Sequence, residues 1–259
     1  MAGKSKSGKA PSGDWITEIL RLTAFPTPPA PPRNPEWWSA LVGEQPQTVV
    51  TQPRTGEHRE EGPFRNAVLV SSIQLNRIDW LLRPNVEDPR AIDFPMVGSF
   101  TEAVEPFVEV MLKWLSLDTC PSLQRLAFGT ILQLPVDDRP TGYRLLSTYL
   151  PYVTIDLEHT RDFLYQINRP RESNTGIGGL SINRLAKWSV GSGQWVDVLL
   201  TTPRSSESIW GRRRAFCRLE LDVNTAAEFG GPLPKDRLTS VLLELIDLSK
   251  EIISEGDTL

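Results

Sequence analysis

Leu238, Leu242, Leu245, Ile246, Ser249 and Ile253 recur at intervals of three and four, and similar spacing links Phe100, Val104, Phe107, Val108, Met111, Trp114 and Leu115. That rhythm draws an apolar stripe along a helix, and the stripe has to be buried against another layer. The residues available to form that layer are strand-like. Ala67–Leu75 and Arg77–Leu82 are rich in β-branched and aromatic residues and precede the first helix. Leu123–Leu134, a short helix over Pro140–Leu150, and strands at 153–157, 163–167, 179–190, 194–201 and 215–223 precede the last. Strands followed by a helix, twice over, predict an α+β protein with antiparallel sheets each packed on a helix, and the two halves read as a duplicated unit.

The ends of the helices carry matching signals. Ser99 with Glu102 forms a capping box, and Pro106 predicts a kink or a later start. At the final helix Asp236 is placed to cap and Gly256 to terminate. Residues 15–65 are less regular. Trp15–Leu22 is an edge strand or a short helix, and it runs into a stretch with six prolines among residues 26–35. Such chain is extended, and beside Trp37-Trp38 it reads as a strap laid over its own domain with the tryptophans as pins, or as a ligand for an aromatic groove. Residues 51–63 read as a mobile loop. The expected organisation is a basic tail (1–14), a Pro/Trp-rich strap and loop (15–65), a first α+β half (66–150) and a second with the C-terminal helix (151–255).

Several chemistries are excluded. Gly3–Ala10 (GKSKSGKA) imitates a phosphate-binding loop, but no strand precedes it, alanine stands where a magnesium-binding hydroxyl is needed, and Pro11 breaks the helix that should follow. It reads as a disordered basic tail, without the apolar core of a signal peptide. A net charge of -4 argues against whole-surface binding of nucleic acid. No apolar run is long enough to cross a membrane. The two cysteines, Cys120 and Cys217, make neither a disulfide framework nor a zinc knuckle and read as free thiols of a cytoplasmic protein. With only His58 and His159, histidine-rich metal sites are out of reach, and no cofactor is expected.

Three groups of polar residues retain chemical interest. Asp156 with Glu158, and Glu220 with Asp222, are spaced two apart on expected strands and so share a face. If those strands were neighbours, the four carboxylates could hold magnesium for phosphodiester cleavage, with His159 near; the alternative is that both strands turn a polar face to water. Arg169, Arg171, Arg184 and Arg212-Arg213-Arg214 lie among Tyr165, Trp188, Trp195 and Trp210, a mixture suited to single-stranded nucleic acid or to an acidic protein. Gly191-Ser192-Gly193 lacks the G-x-S-x-G pattern and reads as a hairpin turn, while 174–179 is glycine-rich but precedes a strand, the wrong order for binding phosphate.

Arg125–Leu132, Tyr143–Leu150, Phe163–Asn168, Leu180–Asn183, the acidic strand Leu219–Thr225 (LELDVNT) and the C-terminal helix together resemble a sporadically distributed family of bacterial proteins of similar length. The resemblance covers most of residues 66–255 and carries over no catalytic residues. Its patchy distribution implies an accessory role such as antiphage defence. The function expected is therefore a non-catalytic accessory or interaction subunit of a bacterial multiprotein system, with Trp37, Trp38 and Arg212–Arg214 contacting a protein partner. The alternatives are a component binding RNA or single-stranded DNA, and a magnesium-dependent phosphodiesterase.

Overall fold

The computed structural model describes residues 14–28, 36–85, 95–193, 196–202, 205–210 and 214–258, with only the backbone over 196–210. Its first half runs β1 (Ile16–Pro26), α1 (Trp37–Val42), β2 (Thr48–Gln52), β3 (Glu57–Phe64), β4 (Ala67–Gln74), β5 (Arg77–Pro84), β6 (Gly98–Ser99) and α2 (Phe100–Ser116). The second half runs β7 (Leu123–Val136), α3 (Arg139–Tyr149), β8 (Leu164–Asn168), β9 (Arg171–Glu172), β10 (Ser181–Gly193), β11 (Val196–Thr202), β12 (Ser205–Trp210), β13 (Arg214–Thr225) and α4 (Leu238–Glu255).

The α+β expectation holds, but the strands of both halves join one sheet of eleven strands, in the order β2-β3-β4-β5-β1-β7-β13-β10-β8, with β6 on β1 and β9 on β10. All its pairings are antiparallel. Among the described residues β11 and β12 pair only with each other. The join is made by β1, the segment that reads locally as an edge strand or a short helix. It lies at the centre, between β5 and β7, because Leu20, Leu22 and Ala24 point to one face and are fully buried there. Period-two alternation carries that face across the sheet: Leu22 stands opposite Trp80 and Phe128, and Leu219 opposite Leu132 and Trp188.

α2 lies on β1, α3 on β13 and β10, and α4 on β7, β13 and β10. Their stripes close a core in which Trp38, Trp80, Trp114, Trp188, Phe107 and Phe128 are almost wholly buried. The capping box at α2 forms, with Ser99 Oγ accepting from the Glu102 N–H and donating to its carboxylate at 2.8 Å. The helix starts at Phe100 and runs through Pro106, which removes the backbone hydrogen bond to Glu102.

Three local expectations are corrected. Residues 51–63 are not a loop: β2 and β3 form a hairpin at the sheet's edge, in which β2 is exposed and the inward residues of β3, His58, Glu60 and Gly62, are not apolar. Residues 153–157 are not a strand. Asp156 Oδ1 accepts the N–H groups of Glu158 at 2.9 Å and His159 at 3.1 Å, an arrangement that locks a turn. Finally, α4 is not capped by Asp236, which lies in a 3₁₀ turn (Lys235–Arg237) leading into it; Gly256 ends the helix with φ 82°, as its position predicts.

Candidate functional site: the open face of the sheet

Residues that alternate with the core-facing ones point to the other face, and none of the described helices covers it. Arg77 and Asp79 on β5, Arg21 on β1, Gly129 on β7, Glu220 and Asp222 on β13, and Lys187 on β10 line one concavity of about 680 Å³. Its walls are completed by Ile19, Leu81, Ile131 and Leu185, with Gln166 on β8 at one bank. That volume falls in the range of small-molecule sites, roughly 300–1,000 Å³. β5 and β13 are separated by β1 and β7, so a single hollow reached by both requires the sheet to curl toward its open side.

Most of the charge here is neutralised within the sheet. Arg77 donates to both Asp79 oxygens, at 2.5 and 2.9 Å, while Thr23 Oγ1 donates to Asp79 Oδ1. The hydrogen bond to Asp79 raises the Arg77 guanidinium above its ordinary value against the opposing effect of burial, and Asp222 adds to it across the hollow. Lys187 Nζ is 3.3 Å from Glu220, which also accepts from Arg218 Nε at 3.0 Å. Burial pushes the Glu220 carboxyl up, and those two cations outweigh it, so the group lies below the usual carboxylate range. Asp222 accepts from Asn224 Nδ2 at 2.9 Å. Arg21 differs: among the described residues its side chain makes no hydrogen bond or ion pair, and its guanidinium lies against Gly129, where a Cβ would sit 3.4 Å from Nη2 and 3.6 Å from Nε.

Glu220 and Asp222 share a face, as their spacing predicts. Asp156 and Glu158 do not join them, because those two lie in the exposed turn after α3. Among the described residues no three His, Cys, Asp or Glu side chains are grouped to hold a metal ion. The expected magnesium quartet is therefore not assembled.

The arginines expected at nucleic acid are engaged elsewhere. Arg169 donates to both oxygens of Asp257, at 2.5 and 2.9 Å, and Arg171 to both oxygens of Glu251, at 2.8 and 2.7 Å. Arg184, only 2% exposed, donates to Glu251 at 3.0 Å, and burial pulls its guanidinium down. All three clasp the end of α4 to the sheet. Arg212 and Arg213 lie outside the described residues, and Arg214 is exposed at the start of β13.

Trp37 and Trp38 are pins rather than accessible anchors for a partner. They are 5% and 1% exposed; the Trp37 ring meets Trp114 edge-on at 5.5 Å and its Nε1 donates to Thr119. Trp38 fits above Gly62, where a Cβ would stand 3.1 Å from the indole. Trp188, expected among bases, is fully buried in the core.

The thiols are inert by environment. Cys217 is wholly buried and burial pushes its thiol up to about 12, while Cys120 is pushed up to about 11 by the same cause. Neither cysteine of the native protein should react with a thiol reagent at pH 8, whereas both should after unfolding in urea. Rapid labelling of the folded chain would contradict this packing.

Sequence reading found Glu220 and Asp222 but not Arg21, Arg77, Asp79 or Gln166. A charged residue alternating with core residues, as in Leu20-Arg21-Leu22 or Ile78-Asp79-Trp80, is a usable signal for an open face, but it does not tell which strands are neighbours. Among the described residues no helix is long and apolar enough to cross a membrane. No family model, curated protein or solved structure matches this chain.

Proposed function

We propose that the chain is a non-catalytic interaction protein, an accessory subunit of a bacterial multiprotein system, that receives what it binds on the open face of its sheet. The observation that carries this reading is the uncovered, largely apolar-walled hollow at the centre of a sheet whose opposite face is closed by helices. A hollow that joins apolar walls to a few convergent polar groups is the usual form of a binding site.

Element order supports a duplicated unit as part of the same reading, divided between α2 and β7 rather than at residue 150. From β1 outward the sheet runs β1-β5-β4-β3, and from β7 outward β7-β13-β10-β8. In each half the first strand is followed by a helix, then by three of these strands of which the last returns beside the first, then by a second helix. The hollow lies across the seam between β1 and β7, where the two units meet. A superposition that failed to bring β1 onto β7 together with α2 onto α4 would end the duplication proposal.

Ile131→Arg tests the docking surface, because it puts a long cation into the middle of the hollow from a half-buried position. In co-purification from the native host, a protein retained by the wild type should be lost with Ile131→Arg and kept with Leu243→Arg, an exposed change on α4. Circular dichroism should report both variants folded. A folded Ile131→Arg protein that retains every partner would sink the open face as the binding surface.

A further inference from the structure

We infer that Arg21 anchors a small-molecule site, and that the hollow takes an organic anion: a carboxylate or phosphate monoester carried on an apolar body. The inference deepens the proposal above and rests on the open face being the binding surface.

The lining holds three cations, Arg21, Arg77 and Lys187, and three anions, Asp79, Glu220 and Asp222. Two of the cations are matched to carboxylates at hydrogen-bonding range, Arg77 to Asp79 and Lys187 to Glu220. Arg21 is not matched, although it comes from the central strand and is half-buried. A guanidinium at such a position has lost part of its hydration, and an incoming carboxylate or phosphate can restore those hydrogen bonds in a two-point contact.

The backbone makes room for this. Gly129 stands directly opposite Arg21 on β7, and Asp222 directly opposite Gly129 on β13. A Cβ at 129 would meet the guanidinium at ordinary van der Waals distance, so the arginine side chain lies close along the sheet floor. Asp222, already holding the Asn224 amide, is not within ion-pairing range of Arg21, so the guanidinium keeps its charge for a ligand. Asp222 also restricts that ligand: the anionic group must approach Arg21 from the side away from β13, which directs the rest of the molecule over Ile19, Leu81 and Ile131. Gln166, whose side chain makes no hydrogen bond among the described residues, offers a donor and an acceptor at the far bank.

An isosteric series reads the charge requirement directly. Phenylacetate, phenyl phosphate, 2-phenylethanol and 2-phenylethylamine are each titrated into the full chain and followed by calorimetry. At least one of the two anions should bind saturably and about tenfold more tightly than the alcohol, with the amine weakest. The comparison of phenylacetate with phenyl phosphate tells which anion the site prefers. Arg21→Met should abolish the preference for the anion, and Arg21→Lys should keep it at reduced affinity, since the charge remains while the fork is lost. Circular dichroism checks that each variant is folded.

Equal binding of anion and amine, or undiminished anion binding by a folded Arg21→Met protein, would overturn the inference. If none of the four probes binds while Ile131→Arg still removes a captured partner, the small-anion site falls and the docking surface stands. If partner capture is also indifferent to Ile131→Arg, both fall.

Discussion

Truncating Trp114 to alanine is expected to lower the free energy of unfolding by about 3–5 kcal/mol, much of the roughly 5–15 kcal/mol available to a domain. Trp114 is fully buried on the inner face of α2. Its ring meets Trp37 of α1 at 5.5 Å and Trp80 of β5 at 6.0 Å, both edge-to-face, so one side chain joins two helices and the sheet. The indole N–H has no partner among the described residues, so truncation orphans no acceptor, and the loss comes from burial and the cavity left behind. Urea unfolding followed by circular dichroism measures it. A loss below about 1 kcal/mol would mean that α1 and α2 are not seated on the sheet as described.

The second large effect is expected at the clasp around the end of α4. Gly256 has φ 82°, and a Cβ there would fall 2.1 Å from the Tyr149 carbonyl oxygen, so the chain passes α3 at a distance only glycine permits. The next residue, Asp257, donates its N–H to that same oxygen at 2.8 Å and places its carboxylate, 4% exposed, on Arg169 and the Tyr165 hydroxyl. Asp257→Asn keeps the shape but strands the charge of Arg169, which predicts a loss of about 3 kcal/mol near neutral pH.

Acid should weaken the same clasp. Burial pushes the Asp257 carboxyl up, and the hydrogen bonds from Arg169 and Tyr165 outweigh it, so the folded protein holds this group below its ordinary value. Glu251 is lowered likewise, with Arg171 and Arg184 overcoming burial. A lowered carboxyl stabilises the fold fully above the unfolded-state values, about 4, and that stabilisation is lost as pH falls through the folded-state values below them. The gap between wild type and Asp257→Asn should therefore be widest near pH 7 and narrow below about pH 4. A gap independent of pH would show that the charge of Asp257 contributes nothing.

Residues close together in the chain announced much of the architecture. The stripes of α2 and α4, the Ser99–Glu102 box, Gly256 and most strands could be read because helical and strand periods are written within a dozen residues. Where the reading failed, a competing local pattern was present. Residues 153–157 alternate like a strand, but Asp156 gains more by capping its own turn. Residues 51–63 look like a loop because β2 is exposed and the residues that β3 turns inward, His58, Glu60 and Gly62, are not apolar. Trp37 and Trp38 are covered by segments far along the chain, Trp37 by Trp114 of α2 and Trp38 by Gly62 of β3, which no window around them contains.

By itself the sequence determined the long helices, most of the strands and which side of each is apolar, since those depend on residue type and on spacings of two, three or four. Only the tertiary structure decided that β1 lies at the centre of one sheet, that Arg169, Arg171 and Arg184 are matched to acids at 251 and 257, and that Arg21 faces a glycine across the floor of a hollow. Each of these depends on which distant segment pairs with which. Pairing is decided by burying every apolar face at once, a condition on the whole chain that no short window contains.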